Sequence, residues 1–382
     1  MLPVRYAVRN LFRDPSRLLQ AVGGSALVCL LTMGATAFTQ GMSDVLSASG
    51  DPRNVILLGA GSESSLQRSE IPDQAAGIAA GAIPGITAWG DQLAVSPELH
   101  FMGYVQAGDQ EPVQTLLRGI SSSAFLTHPS VSLLDGEPPS SGRVMVGRLA
   151  WRSLGVSKET LAVGQTLQFD DQTFIISGIF AAPGTVMESE IWVDLNDLRT
   201  ITQRESLSGV VLRLQEPDPA DAQLFTTQRL DLELTAVPEP TYYATLSGFY
   251  APIRTMTWIT AALIGAGALV GGFNTLYAAF SSRIAELATL QILGYSRPVI
   301  LFSLIQESLM ACLSGALLAS LLSSWFLDGL IVSFSMGTFT LRTTPEVLLA
   351  GIGTGIALGL FGSLPPAIRC FKPPLPVALR SS

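Results

Sequence analysis

The chain has 382 residues, of which 48% are hydrophobic and only 14% charged, and its formal net charge is -8. Such a composition excludes a nucleic-acid binder, which needs a basic surface, and argues against a purely soluble protein. Three cysteines, at Cys29, Cys312 and Cys370, exclude a disulfide-stapled scaffold.

The N-terminal segment carries Arg5, Arg9, Arg13 and Arg17 and leads into Leu18 to Phe38, the first of four stretches nearly free of charge. A helix rising ~1.5 Å per residue needs about 18–20 apolar residues to cross a hydrocarbon core about 30 Å thick, so this stretch is expected to span a membrane. Ala35-Thr36-Ala37 imitates a signal-peptide cleavage site. The long basic leader and long apolar run suit an uncleaved anchor better.

From Ser43 to Ile253 the chain is free of cysteine and long enough to bury its own core. Runs of β type bounded by Gly, Pro, Asp or Ser predict strands at Asn54–Leu58, Ile86–Trp89, Leu99–Val105, Val113–Ile120 and Arg143–Val146, then at Leu167–Phe169, Thr173–Ile179, Ile191–Val193 and Val210–Leu214. Asp170-Asp171-Gln172 reads as a hairpin connection. Helical signals cover Pro72–Ala82, Leu149–Leu154, Leu195–Thr202 and Asp218–Thr227, the last opened by a cap and a first-turn proline. The mixture predicts an α+β domain. Thr241–Arg254 is amphipathic and is expected to prolong the next span outward, with Pro252 as a kink.

Trp258 to Phe280, Val299 to Phe326 and Val347 to Leu364 are the remaining spans. The last two hold Gly315, Ala316, Gly351, Gly353, Gly355 and Gly359, the small residues that close helix packing in lipid uses. Four spans put both termini on one side, with Arg283 and Arg297 in the second-to-third connection and Arg369, Lys372 and Arg380 after the fourth span. Only Asp14 and Glu286 oppose these and the N-terminal arginines, whereas in Ser43–Ile253 acids outnumber bases by more than two to one. Short basic segments stay on the cytoplasmic side, so both termini are expected in the cytoplasm and the large domain outside.

No Gly-x4-Gly-Lys-Ser/Thr loop is present, and the chain has only two lysines, Lys158 and Lys372, so it carries no nucleotide site of that kind. His100 and His128, the only histidines, lack metal spacing and are expected at the surface or a strand edge. Glu188 and Glu190 read as structural acids. No catalytic, cofactor or metal site is expected. Electrostatics would match the acidic domain to a cationic amphiphile or peptide. Glu307, inside the third span, is expected to pair with a neighbouring helix or with a basic residue near the cytoplasmic face.

Ser281–Glu307, SSRIAELATLQILGYSRPVILFSLIQE, resembles the MacB/FtsX family of ABC-transporter permeases, whose cytoplasmic segment reads Arg-x-x-Glu-Ile-Gly-x-x-x-Ala-x-Gly before a helix bearing an acid. Arg283, Glu286, Gly294 and Glu307 match; Leu287, Ala288 and Leu293 depart from the pattern. The basic entry Arg5–Leu11, the segment Phe174–Leu195 and the tail Pro376–Arg380 are similar to the family as well, with Val377 where Glu is common.

The resemblance implies a membrane protein with four transmembrane α-helices and a large α+β extracytoplasmic domain inserted between helices 1 and 2. Its expected parts are residues 1–42, the entry helix and first span; 43–254, a MacB-like domain with a stalk; and 255–382, an FtsX-like part whose coupling helix covers 281–298. Arg283, Glu286, Leu287, Leu290 and Gly294 would form the contact with a separate ABC ATPase subunit. That subunit would hold the ATPase activity, so the chain itself is no enzyme. Two permeases, as homodimer or heterodimer, would sit among membrane lipids in a bacterial inner membrane, with a periplasmic adaptor as a further partner. Two outputs stay open: export or extraction of a lipid, lipoprotein, peptide or drug, and FtsX-like activation of a cell-envelope hydrolase.

Overall fold

The computed structural model describes residues 4–334 and 337–371. Lys372, Arg380, the Pro376–Arg380 tail motif and the side chain of Arg5 lie outside what is described. In chain order the helices are α1 (Val4–Leu11), α2 (Pro15–Ser49), α3 (Ala75–Ala82), α4 (Ala124–Thr127), α5 (Ala150–Leu154), α6 (Leu195–Thr202), α7 (Ala220–Gln228), α8 (Glu239–Phe249), α9 (Ala251–Ser281), α10 (Ile284–Ile292), α11 (Arg297–Leu322) and α12 (Pro345–Cys370). The strands are β1 (Asn54–Gly59), β2 (Ala88–Trp89), β3 (Gln92–Leu93), β4 (Val95–Ala107), β5 (Val113–Ile120), β6 (Ser132–Gly136), β7 (Arg143–Gly147), β8 (Thr166–Phe169), β9 (Gln172–Ala181), β10 (Ile191–Asp194), β11 (Gly209–Arg213), β12 (Leu234–Pro238), β13 (Ile331–Phe334) and β14 (Gly337–Thr340). They form two compact units: a membrane unit of Met1–Gln40, Pro252–Leu330 and Leu341–Ser382, and a head of Gly41–Ala251 with Ile331–Thr340.

In the membrane unit, α2, α9, α11 with its π-helical last turn to Leu327, and α12 are each long and apolar enough to cross a bilayer. The Thr344 hydroxyl caps α12 by accepting from the Val347 amide at 3.4 Å, and Pro345 fills the first turn, where no amide partner is needed. Small residues set the packing. Gly315 of α11 lies against the Val22 carbonyl and Ser25 of α2, and Gly351 of α12 against Met33 of α2. Gly355 leaves its missing Cβ 2.8 Å from Ala316, and Gly359 2.9 Å from the Leu309 Cα, so larger side chains would drive α11 and α12 apart. Gly353 faces open space instead.

The head is built on one ten-stranded sheet ordered β12-β1-β11-β4-β5-β10-β7-β9-β6, with β8 on β4 and β9. Its axis is β4, which pairs with β11 through Val95–Glu98 from Gly209 to Leu212, with β5 from Leu99 to Val105, and with β8 from Val105 to Ala107. One sheet face buries Leu57, Leu99, Leu117, Val146, Val193 and Val210 beneath α3, α6 and α7. On the other face a second cluster gathers Ile120, Met145, Phe180 and Trp192 under Ala124 and Val131. Asp194 begins α6 by accepting from the Asn196 and Asp197 amides, and Asp170, at φ 54, turns the β8–β9 hairpin expected there.

One connection differs from expectation. The helix expected over Thr241–Arg254 is interrupted at Tyr250, so Pro252 falls in the first turn of α9 rather than kinking a continuous rod. The third-to-fourth connection folds as the β13–β14 hairpin and packs within the head: Gly337 approaches Val186 and Ser189, and Phe339 covers Gly41. Cys370 ends α12 and is buried.

Candidate functional site

The expected coupling segment is a short helix set between two breaks. Arg283 precedes α10, and Gly294 ends it at φ 94, a conformation that side chains avoid; the Tyr295 amide donates back to the Leu290 carbonyl at 3.1 Å. Arg297 and Pro298 then open α11. Leu287 is 3% exposed and, with Leu290 beside it, packs on Phe280, Ile300, Leu304, Ala367 and Cys370. Neither leucine projects outward. The exposed face carries Thr289, Ile292 and Leu293, the last two 62% and 69% exposed.

The charged residues of this segment form an alternating chain. Arg13 Nη1 donates to Glu286 Oε1 at 2.7 Å, Arg283 Nε donates to Glu286 Oε2 at 3.4 Å, and Arg283 Nη1 donates to both oxygens of Glu307 at 3.1 and 3.2 Å. The Arg283–Glu307 pair is nearly enclosed, with side chains 12% and 17% exposed, whereas Arg13 and Glu286 are 64% and 40% exposed. Screening leaves the outer pair worth little, so the inner pair, together with the packing of Leu287 on Ile300 and Leu304, joins α10 to α11. These groups floor a cavity of about 550 Å³ walled by apolar residues of α2, α9, α11 and α12, among them Leu269, Leu276 and Leu358.

A second charge cluster, not anticipated, lies inside the head. Neither His100 nor His128 is at the surface: they are 4% and 2% exposed, and both reach the same carboxylate. His128 Nε2 lies 2.8 Å from Glu98 Oε1 and His100 Nε2 3.2 Å from Glu98 Oε2, which also accepts from Arg118 Nη1 at 2.8 Å. Arg118 continues to Glu190 through Nε and Nη2 at 2.7 and 2.8 Å, and Trp192 Nε1 donates to Glu190 at 2.9 Å. The strand register explains the meeting, since His100 and Trp192 are the two neighbours of Arg118 across the ladder. Glu188 and Glu190 are both structural acids, Glu188 holding Arg148 at 2.7 Å.

Burial alone would raise the Glu98 carboxyl, but Arg118 and His128 outweigh it and hold it well below 4.5. Burial also opposes protonation of both imidazoles. For His128 the Glu98 carboxylate wins and its value is raised; for His100 the neighbouring Arg118 adds to burial and its value is lowered.

This cluster extends to the two segments joining the head to its flanking helices. Asn54 Nδ2 donates at 2.9 Å to the Thr127 carbonyl and at 2.9 Å to Glu239 Oε2, which also takes the Asp51 amide at 2.9 Å. Arg213 Nη1 binds Asp51 at 2.8 Å and Asn54 at 3.1 Å. Gly50 lets the segment after α2 touch the start of α8, its missing Cβ falling 2.7 Å from the Pro240 Cα.

Residues 21–224 match the family of the MacB-like periplasmic core domain, and residues 258–375 match the FtsX-like permease C-terminal family. No curated protein matches. Solved structures similar to the chain include the periplasmic region of MacB from Actinobacillus actinomycetemcomitans, at 12% identity, with 52% of this chain and 94% of that one covered and a TM-score of 0.39. Another is the extracellular domain of the noncanonic ABC-type transporter YknZ from Gram-positive bacteria, at 14% identity, 48% and 99% coverage and a TM-score of 0.37.

Proposed function

The chain belongs to the MacB/FtsX-type ABC-transporter permeases, and from that membership we propose that it transmits ATP-driven motion of a separate ATPase subunit to its extracellular domain. The observation that carries this reading is α10, a helix pinned from within and apolar on its outer face. Arg283, Glu286, Leu287 and Leu290 are its positioning residues, Gly294 sets its end, and Thr289, Ile292 and Leu293 offer the surface that a groove on the ATPase would cover. Glu307 receives the load through Arg283 at the start of the third span. Both termini lie in the cytoplasm of a bacterium whose inner membrane holds the four helices, with residues 43–254 outside it and residues 1–42 and 255–382 forming the membrane part. Two permeases, identical or paralogous, face two ATPases.

The output is export or extraction of a lipid, lipoprotein, peptide or drug, in company with a periplasmic adaptor. The size of Ser43–Ile253 favours this over a regulator of a cell-envelope hydrolase. The test is purification of the tagged full chain from its native membranes, with ATP hydrolysis and identification of a co-purifying protein that has the Gly-x4-Gly-Lys-Ser/Thr loop. Ile292→Asp with Leu293→Asp abolishes that association while the head stays folded. Undiminished co-purification by the double variant would overturn the assignment.

A further inference from the structure

Where β4 passes from pairing with β11 to pairing with β5, the head buries more acid than fixed base. Glu98, Glu190 and Glu239 are 1%, 1% and 2% exposed. Arg118, equally deep, is shared by the first two, and Arg213 is committed to Asp51. A buried carboxylate without a cation is unfavourable: burial pushes the Glu239 carboxyl up, and the next group able to supply a cation to it is an imidazole. His128 is placed to do so. It touches Glu98 from β4, has Glu239 of α8 in electrostatic reach, and lies with its ring 6.1 Å from that of Trp192 on β10. The cations on its side are Arg118 of β5, already held by two carboxylates, and Arg213 of β11, at 3.4 Å from the carbonyl of neighbouring Thr127. His100 has the opposite setting, directly across the ladder from Arg118.

The peptide carrying His128 is also the mechanical link. Its Thr127 carbonyl accepts from Asn54, and the same Asn54 amide group donates to Glu239, the first residue of α8. We propose that His128 is a proton-operated latch: charged, it ties the Thr127–His128 loop to Glu98, and through Asn54 fastens both connecting segments of the head, Asp51–Asn54 and the start of α8, to the centre of the sheet; neutral, it keeps only an uncharged hydrogen bond to Glu98 and holds them less tightly. The lean of His128 toward the protonated form fits, so the latch is closed below the folded value, which lies above the ordinary imidazole value of about 6.5, and opens as pH rises through it. The latch rests on the reading that this head relays motion outside the membrane, because only there would external pH set how stiffly the connectors are held.

The chain has two histidines, so ring-labelled histidine in the full chain, purified in detergent with a tag free of histidine, gives two titrating signals. One set is expected to titrate above the ordinary value and to vanish in His128→Gln, the other to titrate below it. Glu239→Gln, which keeps an acceptor for Asn54, lowers the first midpoint and leaves the second unmoved. Hydrogen exchange at Asp51–Asn54 and Glu239–Tyr243, corrected for the intrinsic pH dependence, loosens across the first midpoint in the wild type and is already loose at low pH in His128→Gln. Overturning results are a His128 signal titrating at or below the ordinary value, a midpoint indifferent to Glu239→Gln, or connector exchange that ignores the midpoint. These readouts are independent of membrane orientation, so they fail or succeed separately from the transmission reading.

Discussion

Replacing Arg118 with Met would remove the one cation that two buried carboxylates share while keeping its length and most of its packing. Arg118 makes three charge-assisted hydrogen bonds of 2.7–2.8 Å to Glu98 and Glu190, and its guanidinium lies 5.8 Å from the centre of the Trp192 ring. Breaking a buried ion pair by deleting one partner costs about 3–5 kcal/mol, because the other charge remains in a medium that cannot solvate it. For a domain of this size 1 kcal/mol shifts the melting temperature by about 2–4 °C, so head unfolding should fall by roughly 6–20 °C. The assay is thermal unfolding of the full chain in detergent, with hydrogen exchange in β5 and β10 identifying the head transition. Adding Glu98→Gln and Glu190→Gln to Arg118→Met should recover part of the loss, since neutral groups no longer need the cation. A head melting within about 2 °C of wild type, or a triple variant no better than the single, would refute the argument.

By contrast, Arg13→Gln removes a pair whose members are 64% and 40% exposed and should lower stability by at most about 1 kcal/mol, measured in the same melts. On the acid side, Glu98 is held well below 4.5, so its stabilisation is complete above the unfolded value and fades as pH falls toward the folded one; Glu98→Gln should flatten that limb of a stability profile. Gly50→Val puts side-chain atoms where even a Cβ would fall 2.7 Å from the Pro240 Cα, and should speed hydrogen exchange at the start of α8.

The spans were legible because long apolar runs leave few alternatives to a membrane helix, yet α2 continues past the apolar stretch to Ser49. Met42, Val45, Leu46 and Ser49 recur at helical spacing and are buried in the head, a signal present in the sequence but masked by the end of the hydrophobic run. Most strands were found from their β-branched runs. β12 was not, because it ends in Pro238 before Glu239-Pro240, which suits an edge strand but reads as a loop; β6, at the other edge, is exposed throughout.

Arg283, Glu286 and Glu307 could be expected to pair from charge and position, and they do. The inward turn of Leu287 and Leu290 could not, because the residues that receive them, Ile300, Leu304 and Ala367, come from α11 and α12. The histidines were misplaced for the same kind of reason. Glu98 and His100 alternate with the main core residue Leu99, as on a solvent-facing edge, but the second face of the sheet is closed by α4 and by segments distant in sequence.

Transmission across the bilayer requires α10 and the head to lie on its opposite faces. Single cysteines at Thr289 and Asp171, both exposed, in a chain otherwise free of cysteine can be probed with a membrane-impermeant maleimide in intact cells and in inverted vesicles. Intact cells are predicted to label Asp171→Cys alone and inverted vesicles Thr289→Cys alone; labelling of both from the same side would contradict the transmission mechanism.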